Sequence, residues 1–437
     1  MIYKINVFLL VGVTLITGRY LAQSIDAEYQ VGTWQGFKSA AVSFTFDDGT
    51  PKQFSVAVPM FNEFNFQLTL FTVTNWSSAN WTLFKSAAND GHEVASHTLS
   101  HPHLGALTND QQTSEIKNSQ DQIDTKISGQ KCLTIAYPYC ETGDLSITKK
   151  YYIAGRICSG SIERKSPTDM FNISSVVCGT QGSVKTIQDF NTKANSAVNS
   201  KGWVVFLLHG VNDDGGYSPV TGDVLRGALT YLDTNKTKFW VTSFGNVAKY
   251  IYERNCVSIN ELSKAEDKII LSVTDTLDNG IFNYPLSVRR VLPSDWISPE
   301  VTINGKIIES EIVEVSSIKY ISFDVIPDEG EITISKSSST GLNYELSPQN
   351  LKSELFQNFP NPFNPVTNIN YLVENNSHVT LNIYDVLGRE VETLVDKRLT
   401  PGRYTVQFDG SNLPGGLYFC NLKTDDYIST KKIIFLK

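Results

Sequence analysis

Two adjacent carboxylates, Asp47 and Asp48, close the stretch VSFTFDDG at Val42–Gly49. Val42, Phe44 and Phe46 recur with the period and aromatic content of a strand. Both aspartates therefore stand at a strand's carboxyl tip, and Gly49 lets the chain turn away. Successive strand side chains alternate, so one aspartate can hold a metal ion while its neighbour handles a proton. Asp-Gly is also a common hairpin signal, and other residues must decide between the two readings. Four of the six histidines fall between His92 and His103. His97 and His101 are four apart, a spacing that on a helix or helical turn sets both rings on one face, within reach of one ion. Neutral imidazoles plus one carboxylate make a three-ligand site with open positions, and Asp48 is the natural third ligand. His92 and His103 read as structural. A further histidine, His209, ends the apolar run Gly202–Gly210 (GWVVFLLHG), again at a strand tip, where α/β barrels carry their catalytic groups.

The elements that must position these residues alternate from residue 40 to 255. Helical character over Thr50–Phe64 leads to a buried strand at Gln67–Val73. A helix at Trp81–Asn89 precedes a strand that begins at Gly91–Val94. Thr108–Gln111 fits a capping box, after which Ile116, Ile123 and Ile127 mark a helix's buried face until Gly129. Leu133–Tyr139, Tyr151–Cys158, Ser174–Cys178 and Lys238–Ser243 read as further strands, with a helix over Gly245–Glu253. Strand and helix in turn imply a parallel α/β barrel or sheet.

The chain has 437 residues, enough for two or three domains, and a net charge of −8 without a basic run. A nucleic-acid surface is therefore excluded. Lys4 followed by the apolar run Val7–Ile16 reads as a signal peptide over residues 1–22, with Ala22 as the cleavage point and a buried or anchoring helix as the alternative. The run is too short to span a bilayer, so no membrane span is expected in the mature chain. Six cysteines, four of them within Cys132–Cys178, and no C-x-x-C pair favour structural bridges in an exported protein.

Taken in order, Thr45-Phe46-Asp47-Asp48-Gly49, His97-Thr98-Leu99-Ser100-His101, Tyr137-Pro138-Tyr139 and Leu207-Leu208-His209 resemble the polysaccharide deacetylases of the NodB-homology group. The resemblance covers roughly residues 38–255. It implies a distorted (β/α) barrel over about residues 30–255 and a metal-dependent hydrolase that removes N- or O-linked acetyl groups from a polysaccharide of chitin, peptidoglycan or xylan type. By the same resemblance Asp47 is the general base, and Asp48, His97 and His101 hold a divalent metal, zinc being the first expectation. Tyr139 contributes its backbone amide to an oxyanion hole, and His209 is the general acid. Two departures stand out. The family's third motif commonly begins with an arginine that pairs with the base and ends in glycine, whereas this chain has Ala136 and Cys140. Arg156, in a neighbouring strand-like segment, is the candidate replacement. The fourth motif, an aspartate and tryptophan that orient the acid histidine, is missing.

After Cys256 the helical period stops. Short strands at Lys268–Val273, Leu286–Val291, Glu300–Ile303, Tyr320–Val325 and Glu331–Ser335 predict a small β-sandwich over residues 256–336. Trp296 or Tyr284 could stack on a sugar, but such rings are more often core, and no site is assigned there. A Ser/Thr/Asn-rich linker at 337–350 leads to a second sandwich, immunoglobulin-like, at 351–437. Its NFPNPFNP run, Tyr384–Arg389, Leu413–Tyr418 and Lys431–Lys437 resemble the type IX secretion sorting domain. That resemblance implies type IX secretion machinery as a partner and a secreted or cell-surface location. The competing function is a non-catalytic glycan-binding or adhesion protein on a degenerate barrel.

Overall fold

The computed structural model describes residues 24–76, 80–336, 353–358 and 361–436. The expected signal peptide at 1–22 and linker at 337–350 lie outside the described residues. The chain divides into two compact units, residues 1–338 and 339–437.

In the first unit two short strands, β1 (Ser24–Ile25) and β2 (Tyr29–Val31), precede eight parallel ones. These are β3 (Ala40–Asp47), β4 (Thr69–Thr72), β5 (Glu93–Ser96), β6 (Thr134–Ala136), β7 (Ala154–Arg156), β8 (Val176–Val177), β9 (Trp203–Leu208) and β10 (Phe239–Val241). The sheet runs β7-β6-β5-β4-β3-β9-β8. β9 pairs along one side of β3, while the other is shared by β10 at Ala40–Val42 and β4 at Thr45–Asp47. The Ile157 amide donates to the Ile173 carbonyl at 2.8 Å and that of Ser175 to the Ile157 carbonyl at 3.0 Å. These bonds join the two edges and close a small, distorted barrel.

β3 is buried on both faces, as a parallel strand flanked by helices must be. Val42, Phe44 and Phe46 face the helices, where the Phe44 and Phe61 rings meet edge to face at 5.2 Å. Ala41, Ser43, Thr45 and Asp47 alternate to the interior, where small side chains suit a narrow barrel. The expected capping box is present, Thr108 receiving the Gln111 amide, and Ile116, Ile123 and Ile127 are buried.

The antiparallel strands that follow form sheets of six and four strands, into which β1 and β2 enter from ahead of the barrel. This sandwich shares one core with the barrel floor: Trp34, Trp203, Trp240, Phe244 and Tyr250 pack with Ile259, Leu271 and Val288. Trp296 is buried and Tyr284 half-buried against Trp240, the core role favoured for both rings. The second unit is a sandwich of three and four strands around Phe363, Ile369, Leu381, Cys420 and Phe435.

Candidate functional site

The tips of β3, β5, β6 and β9 meet at a cleft of about 490 Å³ lined by Asp47, Asp48, His97, His101, Tyr139 and His209 among others. Strand alternation alone would send the two aspartates to opposite sides. Asp47 is the last residue of β3, but Asp48 takes φ 73°, and this left-handed step turns its carboxylate back toward the same cleft. The Nε2 of His97 consequently lies 3.8 Å from both Asp47 Oδ2 and Asp48 Oδ1, and the Nε2 of His101 lies 3.9 Å from Asp48 Oδ1.

The helical geometry expected for His97 and His101 is corrected here. Both lie on a loop after β5 with left-handed turns at Thr98 (φ 66°) and His101 (φ 64°). Side chains replace helical hydrogen bonds in shaping it. Glu115 receives the Leu99 amide at 3.0 Å and the Ser100 amide at 2.8 Å, while Thr98 Oγ1 receives the His101 amide at 3.1 Å. Glu115 was not singled out by sequence, because a carboxylate on a polar helix face carries no local mark of the loop it holds. Gln53 was missed likewise; its side-chain amide bridges two strand tips by donating to the Asp47 carbonyl at 2.6 Å and the His209 carbonyl at 2.9 Å.

The donor set fits a divalent cation. His97 Nδ1 meets the Ala136 carbonyl at 2.8 Å; a carbonyl only accepts, so Nδ1 carries the hydrogen and Nε2 turns its lone pair to Asp48. Asp48 Oδ1 is buried with no hydrogen-bond partner among the described residues, a costly state for a carboxylate oxygen unless a cation faces it. One oxygen and two imidazole nitrogens, all within 4.8 Å of one another, surround a common point. Burial keeps the His97 ring neutral, lowering its pKa to about 4, and it also lowers that of His101.

The neighbouring carboxylates are driven apart. Burial and then the Asp47 charge push Asp48 up to about 6. Burial acts on Asp47 in the same sense, but the Arg156 guanidinium, followed by His97 and His209, outweighs it and holds this carboxyl below its usual range. Arg156 is itself buried; its Nη2 donates to Asp47 Oδ2 at 2.5 Å and its Nη1 to Thr45 Oγ1 at 3.2 Å. It is the register partner of Ala136 on the adjacent strand, so an arginine absent from β6 is present one strand over, on the same face. Asp47 Oδ1 has no hydrogen-bond partner among the described residues.

Two more groups complete the cleft. His209 Nε2 stands 3.9 Å from Asp47 Oδ2, and its buried Nδ1 has no hydrogen-bond partner among the described residues, in keeping with the missing fourth motif. Tyr139 lies in a turn after β6 with φ 56°, followed by Cys140 at φ 61°. Cys140 is bonded to Cys158, and this is the one disulfide among the described residues; Cys132, Cys178, Cys256 and Cys420 are buried thiols.

Residues 35–151 match the polysaccharide deacetylase family, and residues 357–436 match a secretion system C-terminal sorting domain. The chain is similar to a gellan lyase of a Bacillus species, at 28% identity over 342 residues, covering 73% of this chain and 14% of that protein. It is also similar to a peptidoglycan-N-acetylglucosamine deacetylase of Bacillus cereus, at 27% identity over 106 residues, covering 24% of this chain and 38% of the relative. The chain thus spans well under half the length of these relatives. Among solved structures, a putative polysaccharide deacetylase from Mycobacterium smegmatis aligns with TM-score 0.41 and 17% identity, over 54% of this chain and 98% of that one. The chain therefore carries a polysaccharide deacetylase domain followed by a secretion system C-terminal sorting domain.

Proposed function

We propose that this chain is an exported, metal-dependent hydrolase that releases acetate from an acetylated glycan. The observation that carries the reading is the convergence of Asp48, His97 and His101 beside a second carboxylate, Asp47, that is paired with Arg156. These three residues would hold a divalent cation, zinc first by the N,N,O donor set, and the bound ion would supply Lewis-acid polarisation and an acidified water.

The protein's own groups account for the remaining chemistry. Asp47, kept ionised by Arg156, accepts the proton of the attacking water at its unpartnered Oδ1. The Tyr139 amide, at the cleft wall, faces the oxyanion that forms on the acetyl carbonyl. His209 donates a proton to the leaving amine or alcohol. The products are acetate and a deacetylated sugar. The sorting domain supports delivery by type IX machinery to the cell surface or medium.

The second reading, a glycan-binding protein on a degenerate barrel, rests on His209 Nδ1 lacking the partner that would orient the ring. Acetate release from acetylated chito-oligosaccharides and acetylated xylan, measured beside Asp47→Asn, separates the two. Turnover that falls about 10²–10⁴-fold in the variant, with metal retained, supports the hydrolase. Absence of acetate from every substrate, with glycan binding intact, supports the binder.

A further inference from the structure

We infer that Gln53 is a positioning residue of this site, whose carboxamide fixes the acid histidine, His209, against the base, Asp47; this rests on the hydrolase reading above. Gln53 is fully buried, and its Oε1 has no hydrogen-bond partner among the described residues, a state that costs stability. Space filling alone therefore does not account for a glutamine here. What the residue supplies is its nitrogen: Nε2 donates to the Asp47 carbonyl at 2.6 Å and to the His209 carbonyl at 2.9 Å. The paired register of β3 and β9 ends at Phe46 and Leu208, so these carbonyls belong to the next residue on each strand. Two acceptors cannot bond each other, and joining them takes two N–H bonds on one neutral atom. A carboxamide is the side-chain group that carries them.

The local backbone brings Gln53 within reach. It opens the π-helical turn Gln53–Ala57, in which the Val58 amide donates to the Gln53 carbonyl five residues back. Single wide turns of this kind recur at functional sites. Further bonds tie the same segment to the loop after β9. Asp214 Oδ2 receives Thr50 Oγ1 at 2.6 Å and the Lys52 amide at 3.3 Å, while its Oδ1 receives the Gly216 amide at 3.1 Å. Lys52 Nζ also donates to the Asn212 carbonyl. The turn after the base and the loop after the acid are thus one hydrogen-bonded unit, with His209 Nε2 3.9 Å from Asp47 Oδ2.

The two residues depend on Gln53 unequally. Asp47 is held by other means, its carboxylate by Arg156 and the Asp48 amide after it by the Phe71 carbonyl at 3.1 Å. The His209 ring has no such hold. Its Nδ1 has no hydrogen-bond partner among the described residues, and Tyr217 meets the ring edge-on with centroids 5.0 Å apart. The aim of the ring therefore follows from its backbone, whose carbonyl receives Gln53 Nε2 and, at 3.4 Å, Thr50 Oγ1. Gln53 thus performs from the main-chain side the orienting task for which Nδ1 has no side chain.

The test measures kcat and KM of the zinc-loaded full chain on two kinds of substrate. p-Nitrophenyl acetate releases a phenolate that leaves without a proton, whereas the amine or alcohol of an acetylated chito-oligosaccharide or xylan takes one from His209. Wild-type acetate release from the glycan reports the hydrolase reading, and the difference between substrates in the variants reports this inference. Gln53→Met, of similar volume but without donors, should lower kcat on the glycan about 10–100-fold, the cost of misplacing a reacting group by about 1 Å, with KM within about twofold. On p-nitrophenyl acetate the loss should stay within roughly threefold, because that step needs no acid. Added to His209→Ala, the same change should cost less than about twofold on the glycan, since the group it positions is gone. Equal losses on both substrates, or an undiminished loss beside His209→Ala, would assign Gln53 to Asp47 or to the fold and overturn the proposal. Should Gln53→Met fail to fold, Gln53→Asn, whose carboxamide is one carbon too short to reach both carbonyls, takes its place with the same expectations. The His209 ring signals in protein carrying isotope-labelled histidine, assigned by their absence from His209→Ala, give a reading independent of turnover. They should be single in the wild type and broadened or doubled in the Gln53 variant, and unchanged signals refute the positioning role. If the wild type releases no acetate, the hydrolase reading fails and these signals alone decide.

Discussion

At the scale of single residues, the pairing of Asp47 with Arg156 explains how a chain with Ala136 can still carry an ionised carboxylate in a closed interior. Ala136 and Arg156 are register partners, and both face inward. Arg156→Ala should leave a buried charge without its partner, at a cost of about 3–5 kcal/mol. It should also raise the Asp47 pKa, because the cation that holds it down is gone, so the acid limb of the pH–rate profile moves to higher pH. Adding Ala136→Arg to that variant should move the limb back. Denaturant melts and the profile from pH 4 to 8 check both effects, and a limb that stays in place in Arg156→Ala would remove Arg156 from the mechanism. Zinc gives a second test at this scale. An ion that binds only the folded chain stabilises it by about 2.7 kcal/mol at a hundredfold excess over its Kd. Zinc should therefore raise the Tm of the wild type and of Asp47→Asn, and leave that of Asp48→Ala nearly unmoved. Residue types and spacing made Asp47, Asp48, His97, His101 and His209 visible as candidates in sequence. Arg156 was visible only as the candidate replacement for the arginine missing at Ala136; its register beside Ala136 was not, since parallel register joins residues distant in the chain.

Elements add what single residues cannot. The strands around the site were legible because period-two apolar runs end in polar tips, and Leu286–Val291, Glu300–Ile303 and Glu331–Ser335 have the bounds expected of them. The histidine loop was misread as helical because its shape comes from Glu115 and Thr98 side chains and two left-handed residues, none of which leaves a periodic trace. The Tyr139–Cys140 turn has a similar logic. Two successive left-handed residues without glycine cost on the order of 1–3 kcal/mol each, and the Cys140–Cys158 bond holds this turn to the tip of β7. Cys140→Ser with Cys158→Ser should lose activity through kcat more than KM, whereas Cys140→Gly with Cys158→Ser, which removes the bond but permits the φ, should retain more. Equal activity in the two pairs would assign the disulfide to stability alone. The helix Phe244–Cys256 beneath the barrel contains the fully buried Glu253, whose Oε1 receives the Tyr284 amide at 2.8 Å and whose Oε2 has no hydrogen-bond partner among the described residues. Burial pushes its carboxyl up to about 8. In the unfolded chain it ionises near the ordinary glutamate value, so between there and about 8 the folded state holds the extra proton. Stability from this group is full at low pH and is lost as pH rises through 8. Wild-type Tm should fall more steeply from pH 5 to 8.5 than that of Glu253→Gln; parallel curves would show that Glu253 is ionised in the fold.

For the whole molecule, the question is which parts stand alone. The break in sequence pattern at Cys256 suggests a boundary there, because helical periodicity gives way to short strands. The packing runs across that point. Trp34, Trp240, Phe244 and Tyr250 on the barrel side are buried together with Ile259, Ile269, Leu271 and Val288 on the sandwich side. β1 and β2, from ahead of the barrel, complete the sandwich sheets. Sequence periodicity reports which face of an element is apolar and is silent about which other element covers it. Removing residues 257–437 would uncover those rings, at about 1.5–3 kcal/mol for each large apolar side chain exposed. Several such side chains together exceed the 5–15 kcal/mol by which a domain is stable. A chain ending at 256 is therefore expected to be insoluble or to bind a hydrophobic dye without a cooperative melt. A chain ending at 338 keeps the entire first unit and its core. It should melt cooperatively, bind zinc and release acetate at a rate within about twofold of the full chain, since the catalytic and metal-ligating residues named above all lie in the first unit. A folded, active chain ending at 256 would show that the barrel holds itself together and that the sandwich is an appendage.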